Sequence, residues 1–113
     1  MHYNYDNDEK IVNLTIPGDI LSSNVDSVRE SIFDIIDSEE LASKGYRKIT
    51  LDLTAAKMID SAGLNLLVSV LKAAKSKNAA VAARVANPHI QRTFSFTRLD
   101  KLIKIEQVET TTT

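Results

Sequence analysis

The residues of this chain best placed to do chemistry are Asp60 and Ser61. They stand after an alternating apolar run, Ile49 to Leu53, and just before an apolar stretch that begins at Leu64. A strand-following loop should turn into a helix at this point. The first N–H groups of a helix are unpaired, and its dipole favours negative charge there. Two chemistries fit such a position. Ser61 or Asp60 can act as an N-cap that satisfies one N–H, worth about 1 kcal/mol. Alternatively, the Ser61 hydroxyl is a phosphoacceptor. The helix terminus would hold the phosphoryl group, so modification need not unfold the domain. It would add roughly −1.5 to −2 charge at an accessible surface, enough to repel a partner seated on that helix.

Other chemistries find little support. The chain has no cysteine, which removes disulfides, thiolate metal sites and cysteine nucleophiles together. His2 and His89 are far apart in sequence and read as solvated residues. The three glycines are isolated, so no glycine-rich phosphate loop is formed. A hydrolase using Ser61 as nucleophile would need a general base, and none stands at a recognisable spacing. No catalytic residue, metal or cofactor is expected, and the chain reads as a non-enzyme. Fourteen basic residues balance fifteen acidic ones, giving no electrostatic case for nucleic acid or an anionic membrane. Arg92 and Arg98, the acidic run Asp37-Ser38-Glu39-Glu40, and Lys72, Lys75 and Lys77 read as solvated charge; the three lysines favour a helix C-terminus. The first nine residues are polar and mildly acidic, unlike a signal peptide. Leu64 to Leu71, the most apolar stretch, is far shorter than the ~20 residues needed to cross a bilayer.

The elements that must position Ser61 follow from periodicity. Ile11–Ile16 and Lys48–Thr54 alternate apolar and polar residues, as strands do. Pro17-Gly18-Asp19 marks a turn. Val25, Val28, Ile32, Ile35 and Ile36 recur at helical spacing after Asn24, a candidate cap, and predict a helix from Asn24 to about Leu41 that Gly45 stops. A second helix runs from about Ser61 to Lys75, with Leu64, Leu67, Val68 and Leu71 as its inward stripe. Val81–Val85 is a short strand. Asn87-Pro88 opens a third helix anchored by Ile90, Phe94 and Leu99, and Leu102, Ile103 and Ile105 suggest a last strand.

Strands that alternate with helices predict a mainly parallel sheet with right-handed crossovers. Strands buried on both faces read as continuous apolar runs, whereas Ile11–Ile16 and Lys48–Thr54 alternate. An α/β fold with its helices stacked largely on one face is therefore expected. On the second helix, Ala62, Leu66, Val70 and Ala73 form a further apolar line opposite the inward stripe. Either a neighbouring helix covers this line, or it is a partner-docking patch beside the switch serine.

Asp60-Ser61-Ala62-Gly63-Leu64, preceded by Ile49-Thr50-Leu51-Asp52-Leu53 and Met58-Ile59, resembles the signature of STAS domains. These are the sulphate-transporter and anti-sigma-factor-antagonist domains. The run Asn87-Pro88-His89-Ile90-Gln91-Arg92-Thr93-Phe94, followed by Leu99, Leu102 and Ile103-Lys104-Ile105, is similar to the family's third-helix region. The resemblance implies an anti-sigma factor antagonist of the stand-alone type. Its unphosphorylated form would bind an anti-sigma factor that is itself a serine kinase, freeing a sigma factor; a separate serine phosphatase would reset the cycle. It makes Ser61 the phosphoacceptor with Asp60 beside it; together with the second apolar line of the helix, the expected partner-binding set is Asp60, Ser61, Ala62, Gly63, Leu66 and Val70. Gly63 would admit the partner's backbone, and Leu64 would anchor the helix in the core.

Two departures bear on partner choice. Ala62 stands where a second hydroxyl is frequent, and the loop around Ser43, Lys44 and Gly45 is slightly long. The alternatives within the fold are a regulator of another signalling complex, such as biofilm control, or a small cytoplasmic subunit of a lipid transporter. The expected organisation is an N-terminal tail or first short strand over 1–10, a STAS domain over 11–108 and a disordered tail over 109–113, in a bacterial, cytoplasmic and monomeric protein.

Overall fold

A computed structural model describes residues 1–108; the tail expected at 109–113 lies outside the described residues. The chain opens with a hairpin, β1 (His2–Asp6) and β2 (Ile11–Thr15), whose turn is closed by the Asp6 carboxylate accepting from the N–H groups of Asp8 and Glu9. Helices α1 (Val25–Ile36) and α2 (Glu39–Lys44) lead to β3 (Lys48–Asp52), and α3 (Ser61–Ser76) leads to β4 (Ala80–Val85). Helix α4 (Pro88–Phe96) and a 3-10 turn (Leu99–Lys101) lead to β5 (Lys104–Gln107).

The strands lie in the order β1-β2-β3-β4-β5, with β1 antiparallel to β2 and every later pair parallel. Because each parallel strand is added on the same side of the last, right-handed crossovers place every connecting helix on one face. Val12, Ile49 and Val81 align across that face, as do Leu14, Leu51 and Ala83, and all belong to one buried core. The opposite face carries polar rungs: Asn13, Thr50, Ala82 and Lys104, then Thr15, Asp52, Arg84 and Glu106. Arg84 reaches the Asp52 carboxylate at 3.4 Å on this open face. The one-sided architecture expected from alternation is the one observed.

Local differences have local causes. The first helix ends at Ile36, not near Leu41, because Ser38 caps a separate α2 by accepting from the Leu41 N–H at 3.2 Å. Asn24 occupies the N-cap position of α1, but its side chain turns back into the preceding loop. There it accepts from the Leu21 N–H and donates to the Asp19 carbonyl, both at 2.8 Å. Asn87 does cap α4 as expected, accepting from the His89 N–H at 2.8 Å. The last strand begins later than the apolar residues suggest: Arg98 adopts a left-handed conformation, a 3-10 turn intervenes, and Leu102 is left 67% exposed.

The largest correction concerns α3. Its buried stripe is Gly63, Leu66, Leu67, Val70 and Ala74, at helical spacing, whereas Leu64, Val68 and Leu71 are only half-buried. Leu66 and Val70 are 0% exposed and cannot meet a partner. Helix α1 lies alongside, with Arg29 donating to Ser69 at 3.2 Å. Burying a side chain such as Leu66 contributes about 1.5–3 kcal/mol to folding.

Candidate functional site

Two loops at the carboxyl ends of adjacent parallel strands build the site. The β2–α1 loop passes beside the β3–α3 loop, and a short parallel bridge pairs Ile20 with Ile59. The Ile20 N–H donates to the Met58 carbonyl at 3.3 Å, and the Asp60 N–H returns to the Ile20 carbonyl at 3.2 Å. Two carboxylates tighten the join. Asp19 accepts from the N–H groups of Lys57 at 2.7 Å and Met58 at 3.1 Å. Asp60 places one oxygen 3.0 Å from the Gly63 N–H and the other 2.8 Å from the Ser22 N–H. Asp60 is thus both the N-cap of α3 and one of the two carboxylates that join the loops. Those donors, Gly63 first and then Ser22, hold its carboxyl below the ordinary 3.8.

Gly63 explains how close the loops come. A Cβ at this position would collide with the Ile20 carbonyl oxygen and stand 2.7 Å from the Ile59 Cγ2. The backbone it admits is therefore that of its own chain. The role implied by resemblance, approach of a partner's backbone, is corrected accordingly: the glycine is buried.

Ser61 is the first residue of α3 and is exposed. Since Asp60 supplies the cap, the Ser61 hydroxyl is not needed for it. Of the predicted partner-binding set, the structure brings Asp60, Ser61 and Ala62 together at the open end of α3; Gly63, Leu66 and Val70 are buried beneath them. Met58 stands three residues before Ser61 and is 58% exposed, an apolar side chain at the rim. It also lines a hollow of ≈ 220 Å³ with Lys57 and the α4 residues His89 and Thr93. His89 meets Arg92 at 2.6 Å, while His2 lies on β1. Among the described residues no group of three or more His, Cys, Asp or Glu is arranged to hold a metal ion. No helix of the described residues is long and apolar enough to cross a membrane.

Sequence reasoning missed Asp19 and Met58. Asp19 read only as part of a turn, although an aspartate after Pro-Gly is a ready acceptor for a neighbouring loop. Met58 precedes Ile59 in an apolar pair, and only the bridge with Ile20 decides which of the two is buried.

Gly63→Ala should destabilise the chain by about 1–3 kcal/mol, since the obstructing atom is backbone. Urea denaturation checks this, and a change below about 0.5 kcal/mol would show that the Ile20 loop gives way freely. Asp60→Asn should be less stable than wild type at neutral pH. The folded-state carboxyl is depressed, so its contribution is complete above the unfolded-state value near 3.8 and is lost as pH falls through the lower folded-state value. Urea midpoints of both proteins should converge in acid; a gap that is constant with pH would assign the effect to shape alone.

The STAS domain model matches residues 2–111. Two proteins from Thermotoga neapolitana and Thermotoga maritima, both assigned by name to the anti-sigma factor antagonists, are 37% identical to this chain over 67 residues. Each match covers 59% of this chain and 59% of the relative, under two thirds of its length. A Thermotoga maritima crystal structure bearing the same assignment is 29% identical with a TM-score of 0.76, covering 95% of this chain and 85% of that one. The anti-sigma factor antagonist SpoIIAA in its unphosphorylated form shares the fold, with a TM-score of 0.62 at 14% identity over 97% of this chain and 88% of that one. The architecture is that of the anti-sigma factor antagonists, and the match over almost the whole length shows that the chain belongs to the STAS domain family.

Proposed function

We propose that this protein is an anti-sigma factor antagonist, a non-enzymatic binding switch of the cytoplasm controlled by phosphorylation of Ser61. The unphosphorylated form engages an anti-sigma factor that is a serine kinase, through the open end of α3 and the rim formed by Asp60, Ser61, Ala62 and Met58. The Ser61 oxygen forms a bond to the γ-phosphorus of the kinase's ATP, ADP leaves, and the hydroxyl proton passes to a base of the kinase. The phosphoserine then repels the partner, and a serine phosphatase restores the hydroxyl. The observation that carries this reading is the division of labour between neighbours. Asp60 caps the helix, which leaves an exposed Ser61 free to be modified at a terminus that favours negative charge. SpoIIAA, which shares the fold, has been solved in a phosphorylated form as well as an unphosphorylated one.

The reading separates Ser61 from the fold. Ser61→Ala should change stability by no more than about 0.5 kcal/mol. Incubated with ATP and extract of the native host, wild type should gain one phosphate by intact mass and Ser61→Ala none. Ser61→Asp should bind the captured kinase more weakly than either. Phosphate on both proteins, or on neither in an active extract, would contradict the proposal.

A further inference from the structure

A second surface feature lies at the other end of α3, roughly 16 Å along the helix axis from Ser61. The C-terminal half of α3 and the turn entering β5 enclose a groove of ≈ 660 Å³. Its apolar lining includes half-buried Leu71, buried Ile103 and Leu102, which is 67% exposed. Lys72 and Lys75 line it from α3 and Lys101 from the turn before β5, against a single acid, Asp100; Lys104 borders it as well, but its side chain belongs to the open face of the sheet. Among the described residues none of the ammonium groups of Lys72, Lys75 and Lys101 forms an ion pair.

A helix dipole accounts for Lys72 and Lys75 near the end of α3, but not for Lys101 in the turn before β5. The chain as a whole carries a net charge of −1, so this basic cluster is local. The volume falls in the range of small-molecule sites, which are lined mainly by apolar groups with a few charged ones at defined places. Long lysine side chains can lay their methylenes along an apolar floor and keep their charges at the rim. We infer that this groove binds a small amphipathic anion, an alkyl chain bearing one carboxylate, with the chain against Val68, Leu71, Ala79 and Leu102 and the carboxylate among the lysines. The site is separate from the Ser61 surface and does not depend on phosphorylation.

Dodecanoate, titrated below its micelle-forming concentration, is the probe. Calorimetry should show saturable one-to-one binding, and amide NMR shifts should cluster at Leu71, Ala79 and Leu102. The double variant Lys72→Glu, Lys75→Glu should stay folded by circular dichroism, since both lysines are exposed, and bind at least about tenfold more weakly. Dodecanol, lacking the charge, should lose a similar factor. No saturation below about 1 mM, an affinity unchanged in the double variant, or shifts centred on Ser61 would overturn the assignment. So would sedimentation with phosphatidylglycerol vesicles that dodecanoate does not compete away, because the charge would then serve a lipid surface.

Discussion

The geometry around Ser61 depends on the carboxylate of Asp60. A helix N-terminus must find acceptors for its first N–H groups, and a loop crossing in front of it must find one for its own. Asp60 meets both needs, with one oxygen on Gly63 and the other on Ser22. A neutral amide has one acceptor oxygen and cannot fill both places. The consequence is specific to the next residue. Had Ser61 been the cap, its hydroxyl would have been committed to the fold, and modification would have displaced it. With the cap one position earlier, the hydroxyl is exposed on a helix terminus that is already formed.

The sheet topology makes this join possible. Parallel strands added in one direction bring successive carboxyl-terminal loops to the same end, so the loops after β2 and β3 are neighbours before any side chain acts. The one-sided helix layer then buries the middle of α3 and leaves its first turn at the rim. Gly63 sets the distance between helix and loop, because any Cβ there would meet the Ile20 backbone. On the proposed reading, a charge introduced at Ser61 would stand on a helix terminus that is already formed, where repulsion would change binding without a change of fold.

Strand alternation and the order of elements were legible in the amino-acid sequence, including the single helix-covered face, because Ile49, Leu51 and Leu53 are apolar while Thr50 and Asp52 between them are not. The orientation of α3 was not. Ten of the thirteen positions from Ala62 to Ala74 are apolar or glycine, so two overlapping stripes satisfy helical spacing, and tertiary contacts such as that of Gly63 with Ile20 select the one containing Leu66 and Val70. The position of Ser61 at a helix start was legible from Asp-Ser before an apolar run. The roles of Asp19 and of the Asn24 side chain were not, since each bonds across a loop whose path depends on the tertiary fold. The break at Ser38 was hidden for a different reason: apolar spacing continues through Leu41, and a serine cap inside a periodic run looks like an ordinary polar position.

The central claim is that charge at Ser61 acts on a platform it does not alter. Amide hydrogen exchange on chain carrying genetically encoded phosphoserine at position 61, compared with unmodified chain, tests it most directly. The account predicts equal protection through β2, β3, β4 and the body of α3. Differences should be confined to the first turn of α3 and the two loops that Asp60 joins. Loss of protection across the sheet, or along the length of α3, would show instead that phosphorylation works by unfolding the structure that presents it.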